Sequence, residues 1–291
     1  MNNNEESLYR QYKILLFSIA YRMLGTVTEA EDIVQDTFLT YFQKKDSVEI
    51  LNEKAYLCKV ATNLCIDLLR TARKKREVYT GPWLPEPYIP SEEGNPLDQM
   101  LKLDGLSISY LIMMEKLSPT ERAVFILKDV FGYSYKDISS MIEKTEVNCR
   151  KIFERAKTKL GEKIENTKLN NEKNQSVISD FISAFQKGDM KRVLMLVSEN
   201  VTLYSDGGGV VKAAINPIYS RERVLAFLLG VVSKAPAELK TTFEKVNGQL
   251  GMVNTVNTVP HSVISFHIED EQINGIYIVM NPEKLTRIES R

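Results

Sequence analysis

Histidine, the side chain best suited to moving protons near neutral pH, occurs at only two positions, His261 and His267. They lie six residues apart, in or beside the run Ser262–Ile268, whose near-regular alternation predicts a half-buried strand. The two share a strand face only if no bulge intervenes. A general base would need an ionisable group among polar neighbours in a pocket, which this sequence does not clearly provide; a strand histidine is more often structural. Cys58, Cys65 and Cys149 are odd in number, scattered, and set in helical apolar patterns. They read as core residues of a reducing compartment, neither disulfides nor a metal set. No catalytic residue, metal or cofactor is expected.

What remains is the chemistry of binding. From the cap Thr145 to about Leu160, Cys149, Phe153, Ala156 and Leu160 mark one apolar helix face. Asn148, Arg150, Lys151, Glu154, Arg155 and Lys157 occupy the other. Ahead of it, Ser118-Pro119-Thr120-Glu121 opens a helix that stops at Gly132, and Ser134-Tyr135-Lys136-Asp137 opens a second. A short helix, a tight turn and a helix with a basic, hydrogen-bonding face describes a helix-turn-helix that enters a major groove. A helical hairpin with a solvated charged face fits the same spacing, and the turn lacks the glycine many such motifs carry.

The first block, from Leu8 to about Val78, reads as all helix. Its third helix, Glu53 to about Lys75, holds Lys54, Lys59, Arg70, Arg73, Lys74, Lys75 and Arg76 against the single acid Asp67. Such a local excess attracts phosphate, and Tyr56, Thr62 and Asn63 could meet unpaired bases. Cations answering the helix dipole are the alternative. The second helix, capped by Thr28, places Ile33, Val34, Phe38, Leu39 and Phe42 inside and leaves Glu31, Asp32, Gln35 and Asp36 outside as an acidic face.

These elements sit in a chain of 291 residues, 43% hydrophobic and 26% charged, long enough for two or three domains. With a net charge of zero, nucleic-acid binding must come from local patches. No apolar run approaches a membrane span, and Met1-Asn2-Asn3-Asn4-Glu5-Glu6 is the reverse of a signal peptide, so no membrane partner and a cytoplasmic location are expected. The segment Gly81–Pro90 cannot be helical because of its prolines. It offers Trp83 as a docking anchor, and the linker around it is acidic, with Glu86, Glu92, Glu93, Asp98 and Asp104 against Lys102. Glu165 to Gln175 is a second linker. Beyond it come helices at Val177–Lys187, Met190–Val197 and Arg221–Val232, and a strand at Val201–Tyr204 that breaks at Asp206-Gly207-Gly208-Gly209. Further strands are expected at Thr241–Val246, Met252–Thr258, Ser262–Ile268, Ile273–Met280 and Lys284–Ile288. Helices followed by a curved antiparallel sheet give a small α+β cone.

Ala30-Glu31-Asp32-Ile33-Val34-Gln35-Asp36-Thr37-Phe38 resembles the core-binding segment of region 2 in sigma-70-type factors of the extracytoplasmic-function group. Ala55-Tyr56-Leu57 through Asn63-Leu64-Cys65-Ile66-Asp67-Leu68-Leu69-Arg70 is similar to their −10-reading segment, with Tyr56 where a tryptophan is frequent. Leu117–Arg122, Asn148-Cys149-Arg150 and Arg155-Ala156-Lys157 resemble the −35-reading region 4, with Lys151 in place of the usual glutamine. Trp83-Leu84-Pro85-Glu86-Pro87, Asp206-Gly207-Gly208-Gly209 and Asn281-Pro282-Glu283-Lys284-Leu285 look like signatures of the subgroup with a fused C-terminal SnoaL-like (NTF2-like) domain, although Val210 replaces a frequent lysine.

The resemblance implies a multidomain chain: region 2 over residues 1–78, an acidic linker over 79–105, region 4 over 106–165 and a SnoaL-like regulatory cone over 175–291. It implies that Asp32, Gln35 and Asp36 meet the clamp helices of the polymerase largest subunit, with Phe38 lending an apolar contact there or supporting the helix, and with the flap region as a second contact. Tyr56, Lys59, Asn63, Arg70 and Arg73 would hold the opened −10 strand, and Asn148, Arg150, Lys151 and Arg155 would read the −35 duplex. Trp83–Pro87, Asp206–Gly209, Asn281 and Pro282 would form a regulatory interdomain contact, with a small ligand in the cone a further expected partner. Two other readings remain: a ligand-sensing helix-turn-helix regulator that ignores core polymerase, and a SnoaL-type isomerase or hydrolase with an accessory DNA-binding half. The acidic Glu31–Asp36 face favours the sigma factor, since a plain regulator has no use for it.

Overall fold

The computed structural model describes residues 3–45, 47, 49–77, 79–89, 106–161 and 171–288, with the side chains of 3–4, 72–77 and 171–172 outside that description. The chain divides into two compact units. The described part of the first comprises residues within 3–77 and 111–161; that of the second comprises 79–89, 106–110 and 171–288.

The first unit is helical. Helices α1 (Asn3–Leu24), α2 (Val27–Lys44) and α3 (Glu53–Glu77) bury Leu16, Ile19, Ala20 and Met23 against Ala30, Ile33, Val34 and Phe38, and against Leu57, Ala61 and Cys65. Helix α2 starts ahead of the expected cap Thr28. Thr26 is extended at φ −127° and ψ 134°, and its hydroxyl donates to Glu29 instead of capping a backbone amide. A short helix α4 (Ile108–Met114) leads to α5 (Pro119–Phe125), which runs on through a π-helical turn, Ile126–Val130. Helices α6 (Tyr135–Ile142) and α7 (Glu146–Leu160) follow. Both expected start signals are complete capping boxes, Ser118 with Glu121 and Ser134 with Asp137. The missing turn glycine is replaced by Glu143, which takes the left-handed region at φ 55°. On α7, Ile152 joins Cys149, Ala156 and Leu160 in the core; Phe153, expected there, is half-buried, stacked on Phe125 and edge-on to Tyr135.

The second unit carries α8 (Asn171–Lys187), α9 (Met190–Leu196), β1 (Val197–Asp206), β2 (Ile218–Tyr219), α10 (Arg221–Val232), β3 (Leu239–Val246), β4 (Gln249–Val256), β5 (Val259–Glu269) and β6 (Gln272–Val279). The sheet order is β2-β1-β6-β5-β4-β3. Three two-residue hairpins link β3 to β6, turning at Asn247-Gly248, Asn257-Thr258 and Asp270-Glu271, with positive φ at every central position.

The expected purely antiparallel sheet is corrected at one place: β1 and β6 are parallel. Strand β1 is reached from helix α9 and followed by its antiparallel neighbour β2, while β6 arrives only at the end of the hairpin series, so no hairpin joins β1 to β6 or dictates their relative direction. The strand expected at Lys284–Ile288 is likewise absent. Asn281 accepts from the Glu283 amide, Pro282 follows the cap, and the chain makes a 3-10 turn, Pro282–Lys284. Along the sheet, Val201, Leu203, Phe266, Ile276 and Ile278 face the helices and join Ile178, Phe181, Val193 and Val224 in a continuous core. This is an α+β arrangement, with helices packed on one face of a six-stranded sheet.

Candidate functional site

Helix α2 presents Asp32, Gln35 and Asp36 to solvent on one face, while Ile33, Val34 and Thr37 turn inward. Phe38 does not share that face: only 2% exposed, it packs on Tyr9 and Phe42. Of its two expected roles, an apolar contact or support of the helix, this burial fits the second. The apolar side chain on this face is Leu39, 57% exposed and expected to be buried. Three- and four-residue steps place it beside Asp36 and Gln35. Periodicity blurs here, because Phe38 and Leu39 straddle the edge of the buried stripe.

Helix α3 distributes its expected strand-binding residues unevenly. Arg70 is exposed and ion-paired to Asp67 at 2.9 Å. Arg73 lies on the helix, with its side chain outside the described residues. Tyr56 is half-buried, edge-on to Tyr41 at 6.1 Å between centroids. Asn63 donates to the Met141 carbonyl at 3.0 Å, and Lys59 pairs with Glu143 at 2.9 Å. Thr62 is fully buried, so its hydroxyl does not face solvent as expected.

Helix α7 leaves Asn148, Arg150, Lys151 and Arg155 all exposed. The Arg150 guanidinium lies 4.9 Å over the Tyr135 ring, and Arg155 donates to the Lys151 carbonyl at 3.3 Å. One residue of this face was missed: Val147, 63% exposed near the helix start, where an apolar group can meet a thymine methyl. Its position beside Asn148 and out of step with the apolar stripe was a signal in the sequence. Behind the face, Glu121 takes hydrogen bonds from Lys159 at 2.7 Å and from the Ser118 amide at 2.9 Å. Burial works to raise the Glu121 carboxyl, but these bonds outweigh it and hold it below the ordinary range.

In the second unit the linker is docked on the cone. Leu84, Pro85, Glu86 and Pro87 are buried and Trp83 half-buried. Asp206, wholly buried at the end of β1, accepts from the Tyr79 hydroxyl at 2.6 Å, the Leu84 amide at 2.9 Å, the Gly208 amide at 3.0 Å and Lys284 at 2.7 Å. Lys284 also donates to the Leu84 carbonyl and lies 4.3 Å from the Trp83 centroid and 5.3 Å from that of Tyr79. Burial and the Asp206 carboxylate together push the Tyr79 phenol well above its usual value. Asn281 donates to the Tyr79 hydroxyl at 3.0 Å. Further along, Tyr88 and Asn247 exchange two hydrogen bonds, Tyr88 N–H to the Asn247 side chain at 3.0 Å and Asn247 N–H to the Tyr88 carbonyl at 2.8 Å. The loop glycines are required by close approach: a Cβ on Gly207 would sit 2.1 Å from the Val211 carbonyl, and one on Gly208 2.5 Å from Asn281. Glu92, Glu93, Asp98, Lys102 and Asp104 lie outside the described residues.

The condition for the two histidines to share a face fails. His267 pairs with Gly275 and alternates with the inward Phe266, which puts it on the outer face, but Asn254 pairs with Ser262 and Thr255 with Pro260, so His261 is the extra residue of a bulge and the alternation does not carry to it. His261 is exposed, and His267 lies 4.0 Å from Glu269. Neither faces the interior of the cone.

The family model of Sigma-70 region 2 matches residues 8–75, and that of Sigma-70, region 4 matches residues 110–160. The ECF RNA polymerase sigma factor SigJ of Mycobacterium tuberculosis is 28% identical over 297 residues, spanning 98% of this chain and 94% of that protein. The ECF RNA polymerase sigma factor SigW of Bacillus subtilis is 33% identical over 143 residues, 47% of this chain and 72% of its own length. The crystal structure of the Mycobacterium tuberculosis extracytoplasmic function sigma factor SigJ superposes with a TM-score of 0.80 at 26% identity, covering 96% of this chain and 98% of that one. The chain belongs to the extracytoplasmic-function group of sigma-70-type RNA polymerase sigma factors.

Proposed function

We propose that this chain binds core RNA polymerase through the exposed face of α2, Asp32, Gln35, Asp36 and Leu39, and directs it to promoters. Asn148, Arg150, Lys151 and Arg155, with Val147, read the −35 duplex; Tyr56, Lys59, Asn63, Arg70 and Arg73 hold the opened −10 strand. The protein catalyses nothing itself and steers the chemistry of another machine. The observation that carries this reading is one chain presenting an exposed acidic face on α2 and an exposed basic, hydrogen-bonding face on α7. On the clamp helices the acidic face would find its complement, with region 4 reaching the flap.

The second unit acts as a built-in regulator. Its latch, Asp206 and Lys284 gripping Tyr79, Trp83 and Leu84, fixes the linker that joins the two DNA-reading segments, and so constrains their separation. Its core-facing sheet surface is aliphatic and aromatic, which supports regulation in preference to chemistry in the cone.

The deciding experiment is in vitro transcription with purified core enzyme, comparing the full chain with one stopped near Lys168. Promoter-specific transcripts from the full chain, and an altered yield from the truncated one, are expected. Trp83→Ala should shift promoter activity while the melting of both units stays in place. A chain that neither joins core enzyme nor changes the start sites overturns the reading.

A further inference from the structure

Two Asn-Gly sequences occur in the chain, Asn247-Gly248 and Asn274-Gly275. Asparagine ahead of glycine is chemically labile, because no side chain on the glycine hinders its backbone nitrogen from attacking the asparagine side-chain carbonyl. The attack closes a succinimide ring: the bond from the glycine nitrogen to Cγ forms, the Cγ–Nδ2 bond breaks, and ammonia leaves with the backbone amide proton. Water then opens one of the two ring carbonyls. The product is aspartate or, more often, isoaspartate, in which the main chain runs through the former side chain and is one carbon longer.

The two sites are protected by different means. Asn274 lies in β6, which pairs with β1 on one side and β5 on the other. Its Nδ2 donates to the Glu269 carbonyl at 3.0 Å and to the Gln272 carbonyl at 3.2 Å. Asn247 stands at the tip of the β3–β4 hairpin, in the left-handed region at φ 51°, with Gly248 at 79°. A hairpin tip is ordinarily the most open part of a sheet, yet Asn247 is only 4% exposed. The docked linker holds it there. The Tyr88 amide donates to Asn247 Oδ1 at 3.0 Å, and the Asn247 amide donates to the Tyr88 carbonyl at 2.8 Å. To meet the Gly248 nitrogen, the Asn247 carboxamide must swing off the Tyr88 amide and the turn must give up its left-handed conformation.

We propose that Asn247 is a deamidation site guarded by the docked linker, so that release of residues 79–89 exposes it to a slow, one-way conversion. An isoaspartate at this position lengthens the two-residue turn that pairs Val246 with Gln249 and displaces the groups that hold Tyr88. The far end of the linker then cannot return to its place, while the Asp206–Lys284 grip at the near end is untouched. Docking that is otherwise reversible thereby keeps a record of how long the linker has been free. The open fraction sets the rate, as for any reaction that proceeds only from a locally opened state. This conversion depends on the docked linker alone and stands apart from the polymerase and promoter roles.

The test incubates the full chain, without polymerase, in warm and mildly alkaline buffer. Peptide mass spectrometry follows both Asn-Gly sites and separates aspartate from isoaspartate, and the urea-unfolded chain supplies the unprotected rate. Asn247 is expected to react at least about tenfold more slowly in the folded chain than in the unfolded one. Tyr88→Pro, which removes the guarding amide, should speed Asn247 about fivefold and leave Asn274 slow. Should that variant shift the melting of the second unit, Trp83→Ala carries the same comparison. Hydrogen exchange at the Tyr88 amide should be slow in the fresh chain and fast in the isoaspartate fraction. Asn247 reacting as fast folded as unfolded overturns the proposal. So does a rate unmoved by freeing the linker, or Asn274 accelerating in step with Asn247. Tyr88 protection that survives the conversion overturns the one-way step.

Discussion

Phe38 and Leu39 are neighbours in sequence and opposites in role: the first is buried against Tyr9 and Phe42, the second stands among Gln35 and Asp36. Truncating each separates folding from partner binding. Phe38→Ala should cost about 3–5 kcal/mol of stability in the first unit, read by urea unfolding. Leu39→Ala should leave the unfolding midpoint in place and weaken core-polymerase capture several-fold. A sequence pattern marks a stripe, and a residue at the edge of that stripe belongs to the inside or the outside according to a few degrees of helix rotation. That is why Asp32, Gln35 and Asp36 were legible and the choice between Phe38 and Leu39 was not. Thr62 illustrates the same limit, since its type suggested hydrogen bonding to bases and its position on α3 buries it completely.

The helices were legible because their signals are local. Ser118-Pro119-Thr120-Glu121 and Ser134-Tyr135-Lys136-Asp137 each contain the whole of their capping box, so the sequence motif and the hydrogen-bonded structure are nearly the same object. Ser118→Ala should lower the stability of the first unit by about 1 kcal/mol in thermal melts. The same site sets a pH dependence. Glu121 is held below the ordinary carboxylate range when folded. Its ionised form therefore contributes stability that is fully present above the unfolded-state value and is lost as pH falls through the folded one. Urea midpoints measured from neutral pH into the acid range should fall less for Glu121→Gln than for the parent. The sheet was harder to read: its hairpins announce themselves in Asn247-Gly248, but the parallel pairing of β1 with β6 joins segments more than sixty residues apart in the chain. Nothing local records such a contact. The same holds for Lys284, assigned to a strand and found under Trp83, because its partner Asp206 lies 78 positions earlier.

At the scale of the whole molecule, a net charge of zero conceals separated patches, acidic on α2 and basic on α7. Association with duplex DNA should thus weaken with salt in proportion to the few phosphates the α7 face can neutralise, with a slope of roughly −0.9 per contact in log affinity against log salt. Replacing Lys151 and Arg155 by alanine should flatten that slope; anisotropy titrations at several salt concentrations provide the measurement. An unaltered slope would place the phosphate contacts elsewhere.

The docked linker also has a metric consequence. Tyr79 to Tyr88 is a ten-residue stretch pinned at both ends, to Asp206 and to Asn247. Once let go, such a stretch can reach at most about 33–36 Å. Set against a rise of about 3.4 Å per base pair, that is on the order of ten steps of double helix, one full turn. Fastening fixes what this short peptide contributes to the separation of the two recognition elements, and releasing it lets that contribution vary up to a ceiling of about one turn of DNA.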